Sequence, residues 1–141
     1  MQSRYLNILA MLFFGVVGMA SAEVVIVGNK NIGVNQLSMY QARAIWLGQE
    51  VKLGRTTLVA ADLPASDELR KDFLSDVLEL TLKGYRLRRM RLAFKEQLLP
   101  PTVLKSQALV RQWVAEDPYR VGYLRPAMVD STVKVLLRVK D

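Results

Sequence analysis

Cysteine and histidine are both absent from the 141 residues. No thiolate or imidazole is available as a nucleophile, as a general base near neutrality or as a zinc ligand, and no disulfide framework can form. The acids, among them Asp62, Asp67, Asp72 and Asp76, do not follow EF-hand spacing, and carboxylates without a substrate geometry are no argument for glycosidase chemistry. A non-enzymatic role without cofactor or metal is expected. Negative charge is also scarce, with 13 Asp and Glu against 20 Lys and Arg, so the net charge is +7 and the pI about 9.9. There is no internal repeat and no low-complexity linker, and the length suits one compact domain.

What is present begins with an export pattern. Arg4 precedes the apolar run from Ile8 to Gly18, and Ala20-Ser21-Ala22 follows as a small-x-small exit. A short basic end, an apolar run too brief to span a bilayer and a small-residue exit read as a signal peptide of residues 1–22, cleaved after Ala22. The mature chain, Glu23 to Asp141, loses only Arg4 among the basic side chains and stays basic. In the periplasm such a charge meets phosphate, lipopolysaccharide, anionic glycan or acidic protein surfaces rather than nucleic acid.

In the mature chain Val24-Val25-Ile26-Val27 is a continuous β-branched run ending at Gly28, which suits a central strand buried on both faces. Leu37-Ser38 with Gln41 forms a capping box that starts a helix, and Gly48 is placed to end it. Thr57 to Ala61 reads as a second buried strand, closed by Asp62-Leu63-Pro64. Ser66 is the N-cap candidate of the next helix, whose residues Leu69, Phe73, Leu74, Val77 and Leu78 form an inward stripe while Arg70, Lys71 and Asp76 face out. A basic helix follows from about Leu82 to Phe94, ended by Pro100-Pro101. Ser106 caps a further helix, Pro118 stops it, and Val121 to Leu124 and Val133 to Leu137 are the remaining strands. This alternation gives an α/β fold, a mixed sheet flanked by helices.

The order of motifs then carries a resemblance. Ile45-Trp46-Leu47-Gly48 at a helix end, the turn from Val51 to Thr56, a strand running into Asp62, the Ser66…Arg70…Phe73 helix, Pro100-Pro101 and Val121-Gly122-Tyr123-Leu124 together resemble the short phosphate-binding-protein-like family. Its members are similar to shortened solute-binding proteins of phosphate ABC transporters. The resemblance covers nearly all of the mature chain and implies one lobe of the type 2 periplasmic binding fold. By position it implies Asn29, Lys30 and Asn31 in the first loop, Asp62 at the second strand end, and Ser66 and Arg70 at the following helix as ligand residues for phosphate or a related oxyanion. An ABC permease is the implied partner.

Each of these residues also has a structural role open to it. Arg70 can hold an anion, pair with Asp67 or Glu68 on its own helix, or simply be solvated. The bases from Lys83 to Lys95 form either an anion-binding patch or a solvated face. Trp46 and Trp113 read as core residues, and Tyr119 and Tyr123 as half-buried. Two functions follow: an exported solute-binding module for an oxyanion, or an envelope interaction or sensory accessory module that keeps the fold and binds a sensor kinase, porin or appendage protein. The second is motivated by the half length, by the lack of Ser or Thr in the first loop, and by Asp67 and Glu68 in the first helical turn, where they compete with an anion.

Overall fold

A computed structural model describes residues 23–49, 51–96 and 100–140. The expected signal segment 1–22 lies outside the described residues. The β-branched run becomes β1 (Val24–Asn29), with every residue buried. The chain continues through α1 (Met39–Trp46), the hairpin of β2 (Lys52–Leu53) and β3 (Thr56–Thr57), and β4 (Val59–Asp62). Then come α2 (Glu68–Asp72), which runs on as a π-helical turn through Phe73–Leu78, and α3 (Leu82–Glu96). The last elements are β5 (Thr102–Val103), α4 (Gln107–Ala115), β6 (Arg120–Leu124), a 3₁₀ turn at Pro126–Met128 and β7 (Val133–Val139).

Five strands form one mixed sheet in the order β5-β4-β6-β1-β7. β4 is parallel to β5 and β6, whereas β1 is antiparallel to both of its neighbours, β6 and β7. β1 is thus the single strand running against four that point the same way. It stands next to the edge strand, and β6, not β1, takes the middle of the sheet.

The caps explain where the helices begin. Ser38 Oγ accepts from the Gln41 N–H at 3.1 Å while Gln41 Oε1 accepts from the Ser38 N–H at 2.9 Å, and Gly48 has φ 81° just beyond the end of α1. Ser106 Oγ accepts from the Leu109 N–H and starts α4. At α2 the cap is Asp67 rather than Ser66. The Asp67 N–H bonds the Pro64 carbonyl, which leaves Ser66 exposed in the turn, and Asp67 Oδ1 accepts from the Leu69 N–H at 2.8 Å and the Arg70 N–H at 3.4 Å.

The inward stripe of α2 and its π turn is buried throughout: Leu69, Phe73, Leu74, Val77 and Leu78. Phe73 is sandwiched between Trp46, met edge-on at 5.0 Å between centroids, and Tyr123, stacked at 4.0 Å. Trp46 Nε1 donates to the Ala61 carbonyl at 2.9 Å, tying α1 to β4. On the other face α4 crosses β6 at Gly122, where a Cβ would stand 2.6 Å from Val110 Cγ1 and 3.2 Å from Val114 Cγ2. Only a glycine admits that approach. Trp113 is half-buried with the Arg120 guanidinium 4.5 Å from its ring, and Tyr119 is exposed. Among the described residues no helix is long and apolar enough to cross a membrane.

Candidate functional site

Asp62 ends β4 inside the protein, 2% exposed. A carboxylate there must be met by donors or by an opposite charge, and three hydrogen-bond donors and one cation do so. The Tyr123 hydroxyl donates to Oδ1 in a short hydrogen bond, the Leu63 N–H donates to Oδ1 at 2.8 Å, the Tyr85 hydroxyl donates to Oδ2 at 3.3 Å, and Arg70 Nε lies 3.4 Å from Oδ1. β6 brings Tyr123, α3 brings Tyr85 and α2 brings Arg70, so the cluster gathers three elements around the carboxyl end of β4. Burial, and after it the Asp62 carboxylate, push both phenols well above the ordinary tyrosine pKa.

Arg70 is the unusual member. Periodicity places it on the outer face of its helix, but it is 9% exposed and its guanidinium lies 5.5 Å from the centre of the Tyr85 ring. Its partner is neither Asp67, which caps α2, nor Glu68, which pairs with Lys71 at 3.0 Å, but Asp62 from the neighbouring strand. Nε is buried without a hydrogen bond, and among the described residues the guanidinium makes no other hydrogen bond. A donor fork in a nearly dry site, paired with one carboxylate through Nε alone, is an arrangement that accepts an oxyanion.

The first loop is elsewhere. Asn29 is buried, and its Nδ2 donates to the carbonyls of Val114 and Ala115, both at 3.0 Å, closing the end of α4, while Oδ1 accepts from the Asn31 N–H. Because β1 runs against β6, Gly28 stands opposite Val121, and Val121 stands opposite Ala60. Asn29 is therefore level with the start of β4, whereas Asp62 is at its end, about 10 Å away along the strand. Asn29, Lys30 and Asn31 thus do not meet Asp62 and Arg70 in one pocket. Asn31 instead lines an open depression of about 370 Å³ with Gly33, Leu53, Gly54, Pro118 and Tyr119, and among the described residues no charged side chain lines it. Lys30 and Ser66 are exposed. Of the six residues the sequence singles out, the structure joins Asp62 to Arg70 and Asn29 to Asn31.

Sequence reasoning missed Tyr85 and the partnership of Tyr123. A signal existed for Tyr123: a buried phenol and a buried carboxylate on adjacent strand ends each need a partner. Tyr85 carries no such signal on a helix otherwise rich in arginine. Among the described residues no group of three or more acids is placed to hold a metal ion.

This fold is shared with part of longer solved structures. Among solved structures the chain is similar to an ABC-type phosphate transport receptor from Vibrio cholerae, with a TM-score of 0.65 and 21% identity over 82% of this chain and 47% of that one. It is likewise similar to PstS from Borrelia burgdorferi, with a TM-score of 0.60 and 11% identity over 83% of this chain and 48% of that one. The chain therefore spans about half the length of these structures. No family model matches the sequence, and no curated protein does.

Proposed function

We propose that the chain is an exported, non-catalytic solute-binding module of single-lobe length that takes a small oxyanion, phosphate foremost, in the periplasm and works with an ABC permease. The observation that carries this reading is Arg70, a buried guanidinium at the carboxyl end of a parallel strand with its terminal nitrogens unbonded among the described residues. Ligands of open α/β sheets gather at that end of the strands. Asp62, held by two phenols and a backbone N–H, keeps the guanidinium in place without saturating it. The Vibrio cholerae structure of similar fold is described as an ABC-type phosphate transport receptor, which agrees with this reading.

Calorimetric titration of residues 23–141 with phosphate and with sulfate tests it. Saturable heat is expected, and Arg70→Met should weaken binding roughly tenfold to a hundredfold through loss of a charge-assisted hydrogen bond. No heat at millimolar anion with folded protein would reject the reading. A second reading, an interaction or sensory accessory module of the envelope, is favoured by one specific feature: Asp67 already fills the N-terminus of α2, the place where a helix would otherwise receive an anion. Cross-linking in cells followed by mass spectrometry, with a sensor or porin as the captured partner, supports that reading.

A further inference from the structure

α3 carries two faces that serve different ends. Tyr85 is buried and Leu82 and Leu92 are half-buried, so this side holds the helix to the body. On the opposite side Leu87 is 46%, Met90 60% and Phe94 88% exposed. At 3.6 residues per turn these three side chains fall within about 60° of one another and point away from Tyr85. They form a ridge about 10 Å long rather than a groove. Arg86 flanks the ridge on one side and Arg91 on the other, Lys83 lies at its start, and all three are exposed with no ion pair among the described residues. From Leu82 to Lys95 the sequence holds no acid at all.

We propose that this ridge docks on an anionic lipid surface, with Leu87, Met90 and Phe94 entering the headgroup and acyl boundary and Lys83, Arg86 and Arg91 reaching the lipid phosphates. Three observations favour a bilayer over a protein partner. A convex apolar ridge needs a groove in a protein but none in a membrane. Bases on both flanks suit snorkelling around an inserted stripe. A stretch free of acids from Leu82 to Lys95 matches a surface of uniform negative charge better than the mixed charges of a protein surface. The inference is independent of any anion at Arg70, which lies on the inner side of α3 with Tyr85.

Co-sedimentation with vesicles tests it on residues 23–141. The sheet and core lie entirely within 24–139, and this form omits the apolar run of residues 8–18, which would itself partition into lipid. Binding is expected to vesicles of phosphatidylglycerol and phosphatidylcholine and not to phosphatidylcholine alone. Leu87→Ser with Met90→Ser and Phe94→Ser, all at exposed positions, should reduce binding at least tenfold with circular dichroism and melting unchanged. Lys83→Gln with Arg86→Gln and Arg91→Gln should reduce it about a hundredfold, since each base near such a surface contributes about fivefold. No binding of the parent to anionic vesicles overturns the proposal. So does a serine variant that binds like the parent, because net charge alone would then account for the attraction. Sedimentation equilibrium gives a further check, and a parent dimer that Phe94→Ser dissociates would assign the ridge to a second copy of the chain instead.

Discussion

The Tyr123 hydroxyl donates to the Asp62 carboxylate while the Tyr123 ring stacks on Phe73, centroids 4.0 Å apart and planes within 5°. One side chain thus joins the aromatic core to the polar cluster. Tyr123→Phe keeps the stack and removes the donor to Asp62 together with a 3.2 Å acceptor for the Leu63 N–H, which still has Asp62 Oδ1, so it should cost about 1.5–3 kcal/mol, the range for a hydrogen bond to a charged group. Phe73→Ala, which empties the space between Trp46 and Tyr123, should cost about 3–5 kcal/mol. Urea unfolding at neutral pH gives both values, and a Tyr123→Phe cost equal to that of Phe73→Ala would show that the hydroxyl does more than serve Asp62 and the Leu63 N–H.

The Asp62–Arg70 pair is lopsided, and that sets a second expectation. Without Arg70 the carboxylate still has Tyr123, Tyr85 and the Leu63 N–H, but without Asp62 the buried guanidinium has no carboxylate. Arg70→Met should therefore cost less than about 2 kcal/mol, and Asp62→Leu about 3–5 kcal/mol. The double variant Asp62→Leu with Arg70→Met should recover part of the Asp62→Leu loss. Equal costs for the two single changes would mean that the pair, and not the surrounding donors, holds Asp62.

The elements were legible in the sequence where local chemistry decides them. The Ser38 box, Gly48 and the Ser106 cap each depend on contacts within four residues, and each stands where its residues place it. The site was less legible because it depends on direction and on distant partners. Nothing in Val24–Asn29 says that this strand runs against β6, yet that reversal is what sends Asn29 to the far end of the sheet from Asp62. Helical periodicity puts Arg70 outside, and only Asp62, on another strand, draws it in. Two good capping residues stand side by side at Ser66 and Asp67, and the Pro64 turn chooses between them.

That choice is itself measurable. Asp67→Ala removes an oxygen that accepts from two N–H groups at the start of α2 and should cost about 1 kcal/mol. Ser66→Ala, at an exposed position outside the helix, should stay within about 0.5 kcal/mol of the parent. The reverse order in chemical denaturation would restore Ser66 as the cap.

Gly122 gives a packing test. Its Cβ in Gly122→Ala would meet Val110 and Val114 of α4 at 2.6 and 3.2 Å, so α4 must shift off the sheet, at a cost of about 1–3 kcal/mol. Val110→Ala in the same chain opens room at the nearer contact and should recover part of what the alanine at 122 costs. Thermal melts of the two single variants and the double check this, and strict additivity would place the strain elsewhere.

The two buried phenols set how stability responds to alkali. In the folded chain burial and the nearby carboxylate hold Tyr85 and Tyr123 protonated well above the tyrosine reference of about 10. Below that reference both states keep these protons and the contribution is fully present. Above it the unfolded chain releases protons that the folded chain retains, so stability falls as the pH rises towards the folded values, by about 1.4 kcal/mol per pH unit for each phenol. Urea midpoints measured between pH 8 and 11 should show this fall. A Tyr85→Phe, Tyr123→Phe double variant, which has neither proton to lose, should be less stable at pH 8 but should lose less between pH 10 and 11. Parallel slopes for parent and double variant would mean that the phenols ionise as readily in the fold as outside it, and the Asp62 cluster would then be open to water.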